Sequence, residues 1–240
     1  NWDITDDLNE ASIAPTFTRT TIASNNSTIA VTFNEAVYNA SGDALQTSDF
    51  ALSASGGVAA VNALPSSISI SGNVYTLGLN LSVTANGAET LTVVPSENAI
   101  YDASGNAAST SQSYNTVSLN DQAAPIVTNV TSTKVNGTYS TGEVIPITVT
   151  FNEVVNVTGI PQITLETGST DAVVDYSEIG SGTNTLTFNY TVAAGHTSSD
   201  LDYVATSSLA LNSGTIKDAA LNVATLTLAS PAASGSLGAN

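Results

Sequence analysis

Acids recur in two matching settings along this chain. Glu35 ends the run Ile29-Ala30-Val31-Thr32-Phe33-Asn34-Glu35, and Glu153 ends Ile147-Thr148-Val149-Thr150-Phe151-Asn152-Glu153. Asp102 opens Asp102-Ala103-Ser104-Gly105-Asn106, and Asp218 opens Asp218-Ala219-Ala220-Leu221-Asn222. Asp121 stands just ahead of Ala124-Pro125, while Asp3, Asp6, Asp7 and Glu10 stand ahead of Ala14-Pro15. Converging carboxylates can do two kinds of chemistry. They can hold calcium, which takes six to eight oxygen ligands, or they can flank a glycosidic bond as an acid and base pair. These acids recur in both halves beside a linker, as structural ligands would. No Ser-His-Asp order, phosphate loop or zinc pattern accompanies them, so the chain is read as a non-enzyme.

The elements that must place these acids are strands. Apolar and polar residues alternate at 29–35, and strands are expected from Phe17 and at 50–54, 68–70, 74–81, 90–94 and 113–119. Turns rich in Gly, Asn and Ser separate them. A second block repeats the plan, with strands at 126–131, 144–151, 162–166, 172–176, 185–192, 209–211, 215–217 and 223–228. Ala-Pro, Phe-Asn-Glu and Asp-Ala-x-x-Asn recur in the same order at offsets of 110, 118 and 116 residues. The rise of eight is assigned to an insertion at 134–141. Three ordered markers indicate a duplication. About seven short strands per copy predict an all-β chain of two tandem immunoglobulin-like Greek-key β-sandwich domains. The expected layout is a tail at 1–13, a domain at 14–119, a linker at 120–125, a domain at 126–232 and a tail at 233–240.

In such a sandwich the end of the second strand and the loop before the last strand share one pole with the leading linker. Glu153 and Asp218 should therefore meet Asp121. Glu35 and Asp102 should meet the acidic N-terminal segment, with Asp7 as its ligand. Glu35 shares the parity of Ile29, Val31 and Phe33, and Glu153 that of Phe151, so both point towards the top of a core. A carboxylate losing water needs a partner, and Arg19, Lys134 and Lys217 are the only Lys or Arg side chains. Calcium is one solution, with Asn34, Asn152, Asn106, Asn222 and Asn120 as further oxygen donors. Backbone N–H groups capping Glu35 and Glu153 without metal are the other.

Composition narrows the partners. Twenty acids against three bases give a net charge of −17, which argues against a phosphate-binding surface for nucleic acid and against anionic membranes. No apolar run reaches the roughly 18 residues of a membrane span, so membrane insertion is not expected. The chain has no Cys, which rules out disulfides and thiolate ligands. No basic and apolar leader is present, so the sequence reads as a mature product or a piece of something longer. Asn-x-Ser/Thr at Asn25, Asn26, Asn39, Asn80, Asn129, Asn136, Asn156 and Asn189 would accept glycans where a host supplies the machinery. His196 reads as a hydrogen-bonded structural residue, and Asp171, Asp175 and Glu178 as charges guarding a sheet edge.

Thr-Phe-Asn-Glu-Ala/Val-Val, followed by Asp-Ala-x-x-Asn, resembles bacterial immunoglobulin-like repeats of large surface adhesins and surface-layer-type proteins. Thr141-Gly142-Glu143-Val144-Ile145-Pro146-Ile147, Asn184-Thr185-Leu186-Thr187-Phe188-Asn189-Tyr190, Ala194-Gly195-His196-Thr197 and Asp200-Leu201-Asp202-Tyr203 strengthen the likeness in the second block. The resemblance implies an extracellular module of a repetitive cell-surface protein, an adhesin stalk stiffened by calcium at domain junctions. The alternative is a subunit that joins identical copies head to tail into a filament or surface layer. One departure stands out. Leu221 occupies the position of Gly105, and a Leu resists positive φ, so the second loop is expected to differ in shape.

Overall fold

The computed structural model describes residues 13–240. The described chain is all-β, with two short 3-10 turns at Thr47–Asp49 and Leu237–Ala239. It divides into two compact units between Ala123 and Ala124.

The first unit holds β1 (Phe17–Ile22), β2 (Thr28–Phe33), β3 (Tyr38–Asn39), β4 (Phe50–Ser55), β5 (Ile68–Ser71), β6 (Val74–Gly78), β7 (Thr90–Pro95), β8 (Ile100–Tyr101) and β9 (Thr116–Ser118). One sheet runs β1-β2-β6-β5, a second β4-β7-β9, and β3 pairs with β8. The period-two pattern decides which face is buried. Ile29, Val31, Phe33, Tyr75 and Leu77 from the first sheet join Phe50, Leu52, Leu91 and Val93 from the second in one core. Phe33 is the hub. Its ring meets Phe17 edge-on at 4.9 Å and Tyr75 at 5.5 Å, and reaches Phe50 of the other sheet at 6.5 Å.

The second unit holds β10 (Val127–Ser132), β11 (Val144–Thr158), β12 (Gln162–Leu165), β13 (Ala172–Ile179), β14 (Thr183–Thr191), β15 (Leu209–Ala210) and β16 (Thr215–Lys217). Its strand order is β10-β11-β14-β13-β12-β15, with β16 also on β11. β11 is the spine. Its first part pairs with β10 and β14, and its last residues, Asn156 to Thr158, pair with β16. Ile147, Val149 and Phe151 are buried along it.

Several expectations differ from the structure: β6 and β9 are shorter than expected and β13 is longer. Residues 223–228 form two isolated bridges, Val223 to Lys217 and Thr225 to Ile126, instead of a strand. β11 runs past Phe151 to Thr158. Residues 233–240, expected as a tail, pack into the second unit: Leu237 is buried, the Val130 N–H donates to the Gly235 carbonyl at 3.0 Å, and the Asn240 amide donates to the Val130 carbonyl at 3.0 Å. They cover the outer edge of β10, which would otherwise offer unpaired backbone groups.

Candidate metal centre

One register explains where the repeated acids stand. Within the second unit Asn156 pairs with Lys217 in an antiparallel ladder, so Asp218 falls opposite Val155, and Glu153 lies two residues from Val155 on the same face. Within the first unit Tyr38 pairs with Tyr101, so Asp102 falls opposite Val37, and Glu35 lies two residues before it. Val37 and Val155, at matching positions of the two registers, are both buried. In the second unit the ladder is also irregular. Pairing of β11 with β14 jumps from Thr150–Thr185 to Val155–Thr183, so residues 151–154 leave that ladder as an extended bulge, a device that re-aims side chains.

The outcome in the second unit is a close carboxylate pair. An oxygen of Glu153 and one of Asp218 lie within 4.8 Å of each other. Glu153 is half-buried and Asp218 is 3% exposed.

Both aspartates order their own loops. Asp102 Oδ1 accepts from the N–H groups of Ser104 and Asn106 at 2.9 and 2.8 Å, and its Oδ2 accepts from the Asn106 amide at 2.7 Å. Asp218 Oδ1 accepts from the Asn222 N–H at 2.8 Å, and its Oδ2 from the Asn222 amide at 2.8 Å. A carboxylate offers about four lone-pair sites, so these bonds are compatible with ligating a cation. At Asp102 burial favours the neutral acid, but donors from Asn106, Ser104 and Gly105 outweigh it and hold the carboxyl below its ordinary pKa.

The two loops share one shape, contrary to the expectation drawn from Leu221. Leu221 adopts φ +73°, close to the +84° of Gly105. The Asp-to-Asn bonds of the loop override the preference of the Leu backbone.

Two of the asparagines expected as oxygen donors have another task. Asn34 Oδ1 accepts from the Thr16 N–H at 2.7 Å, and Asn152 Oδ1 accepts from the Ile126 N–H at 2.8 Å. The Thr16 and Ile126 carbonyls in turn accept from the Asn34 and Asn152 N–H groups, each at 3.0 Å. Each asparagine therefore clamps the residue that follows Ala-Pro, fixing where the linker joins its unit.

Asp121 belongs to the first unit, where it bridges to Asn86. Its Oδ1 accepts from the Ala123 N–H at 2.9 Å, a local turn bond typical of Asp. Asp7 lies outside the described residues. His196 is held as a structural residue: its Nδ1 lies 2.8 Å from the Tyr190 hydroxyl and its ring stacks on that of Tyr190.

Sequence reasoning missed Glu89 and read Asn26 as a glycan acceptor, a role that its burial and bonded amide do not suit. Glu89 is fully buried, with Oε1 accepting from the N–H groups of Val58 and Ala59 at 2.8 and 2.9 Å. It closes the turn at Gly57, where a Cβ would come within 2.3 Å of the Glu89 carboxyl. Gly56-Gly57 was the available signal, since paired glycines mark backbone that admits no side chain. Asn26 is 3% exposed at φ +56° and bonds to Asn120. Its signal was the Asn25-Asn26 turn.

No helix among the described residues is long and apolar enough to cross a membrane, which says nothing of a β-barrel. No family model and no curated protein matches the chain. Among solved structures it is similar to the S-layer protein rSbsC(31-844), at 16% identity and a TM-score of 0.36. That match covers 93% of this chain and 35% of the other, so the chain spans about a third of its length.

Proposed function

We propose that the chain is a structural segment of an extracellular surface protein. In this reading it consists of two tandem immunoglobulin-like domains whose junction is stiffened by calcium. Asp121, Glu153 and Asp218 are the proposed ligand core, with no catalytic role. The observation that carries this reading is the Glu153–Asp218 pair, a half-buried and a buried carboxylate with oxygens within 4.8 Å. Like charges so placed repel, and a divalent cation turns that repulsion into attraction. Asp121, near the end of the first unit, would supply the third acid from the linker. Stiffening follows because the ion would tie residues of both domains to one centre.

The repeated register at Glu35 and Asp102 favours a second, compatible reading. The same half-site would be completed by an acid ahead of Ala14, from Asp7 or from an identical subunit joined head to tail. Ordered fibres that form with calcium and disperse with chelator would select that assembly.

Calcium at a hundred times its dissociation constant should stabilise the chain by about 2.7 kcal/mol. The measurement is calorimetry and small-angle scattering of the full chain with calcium and with chelator. Asp121→Ala and Glu153→Ala should each remove most of the response. Melting and scattering curves that coincide in the two conditions overturn the reading.

A further inference from the structure

The first unit carries a device that fixes where Asp121 stands. Asn26, in the turn between β1 and β2, is almost completely buried, although Asn at a surface turn is normally solvated. Its amide donates to the Asn120 carbonyl at 2.7 Å, and its Oδ1 accepts from the Asn120 N–H at 2.9 Å. The Asn120 amide donates to the Ala23 carbonyl and to Asn26 Oδ1, both at 3.1 Å. On the other side of the segment the Leu119 N–H donates to the Glu89 carbonyl at 3.0 Å, and the Gln122 N–H to the Ala85 carbonyl at 2.9 Å. Asp121 bridges to Asn86 between these two bonds. Residues 119–122 are thus gripped from two sides, by the 23–26 turn and by residues 85–89. The side chain of Asn26 imitates a strand edge, satisfying both backbone groups of Asn120.

We infer that Asn26 is a positioning residue for calcium. By clamping Asn120 it presents the Asp121 carboxylate from a rigid support, and it routes the ion's stabilisation into the β1–β2 turn. This rests on the calcium reading above. Preorganising a ligand lowers the ordering entropy that binding must overcome, so the affinity for calcium depends on a residue that touches no ion.

The test uses the full chain, titrated with calcium chloride by calorimetry and followed by amide hydrogen exchange. Asn26→Gly suits the left-handed backbone of this turn and removes only the clamp. It should weaken calcium binding about tenfold, and calcium should no longer slow exchange in residues 23–27 as it does in the unchanged chain. Thr20→Ala serves as the control. It deletes a side-chain bond to the Tyr114 carbonyl in the same unit, and it should lower the melting temperature while leaving the affinity unchanged. If Asn26→Gly lowers the melting temperature in chelator but binds calcium as tightly as the unchanged chain, the positioning role is overturned and the calcium reading survives. If the unchanged chain binds no calcium, both fall together.

Discussion

Glu89 is a carboxylate removed from water, held by N–H groups instead of a cation. Burial pushes its pKa up, but the N–H groups of Ala59, Val58 and Asn86 outweigh that and hold it below the ordinary glutamate value. A group whose folded pKa is depressed contributes stability at pH values above its unfolded pKa of about 4.3. That stability fades as pH falls through the lower folded value. Glu89→Gln keeps an acceptor for the N–H groups but puts an NH2 group at the buried Oε2 position, which has no hydrogen-bond partner among the described residues. It should cost about 1–3 kcal/mol at neutral pH and flatten the acid limb of the first unit's stability curve, read by denaturant melts between pH 7 and pH 3. Leu221 is the residue at which local preference loses. A non-glycine residue in the left-handed region costs about 1–2 kcal/mol, while a glycine adds freedom to the unfolded chain worth about 0.4–1 kcal/mol. Leu221→Gly should therefore stabilise the second unit by about 0.5–1 kcal/mol, and Gly105→Leu should destabilise the first, both measured in chelator.

At the scale of elements, alternation made most strands readable. β2, β4, β7 and β12 fall where apolar and polar residues alternate, because one face of each is buried and the period is two. β3 and β8 were not legible, since two residues carry no period. Yet their single register places Asp102 opposite Val37, so the weakest sequence signal positions one of the acids. The break in pairing at residues 151–154 was equally hidden, because Val154 and Val155 read as ordinary strand residues. The site was legible in part. Repetition singled out Glu35, Asp102, Glu153 and Asp218, and strand direction anticipated the meeting of Glu153 with Asp218. The roles of Asn34 and Asn152 were not legible, because an Asn can ligate, cap or clamp with the same atoms, and only partner positions distinguish these. Their clamps make a paired prediction. Asn34→Ala should strand the Thr16 N–H and Asn152→Ala the Ile126 N–H. Each should cost about 1 kcal/mol, the first in the first unit alone and the second in the second unit alone. Hydrogen exchange of the two leading strands checks this.

At the scale of the whole molecule, each unit has its own apolar core, one around Phe33 and the other around Phe151 and Phe188. Separate cores allow separate unfolding, so in chelator the chain should melt in two transitions. A net charge of −17 adds general repulsion, which sodium chloride screens and which calcium would also screen without any specific site. The two effects separate by their dependence on the acids. Screening acts on the charge as a whole and should raise both transitions modestly, with little change in Asp121→Ala. The proposed ion would act through mass action and would be lost when either contributing unit opens. Calcium should therefore move the lower transition towards the upper one, by more than sodium chloride at matched ionic strength. Magnesium should fall short, because it demands a smaller octahedral shell and gives up water reluctantly. Asp121→Ala should keep the two transitions of the chelated chain while abolishing their convergence. Calorimetry of the full chain in chelator, sodium, magnesium and calcium reads all of these outcomes. Convergence that persists in Asp121→Ala would assign the coupling to screening instead of the proposed ion.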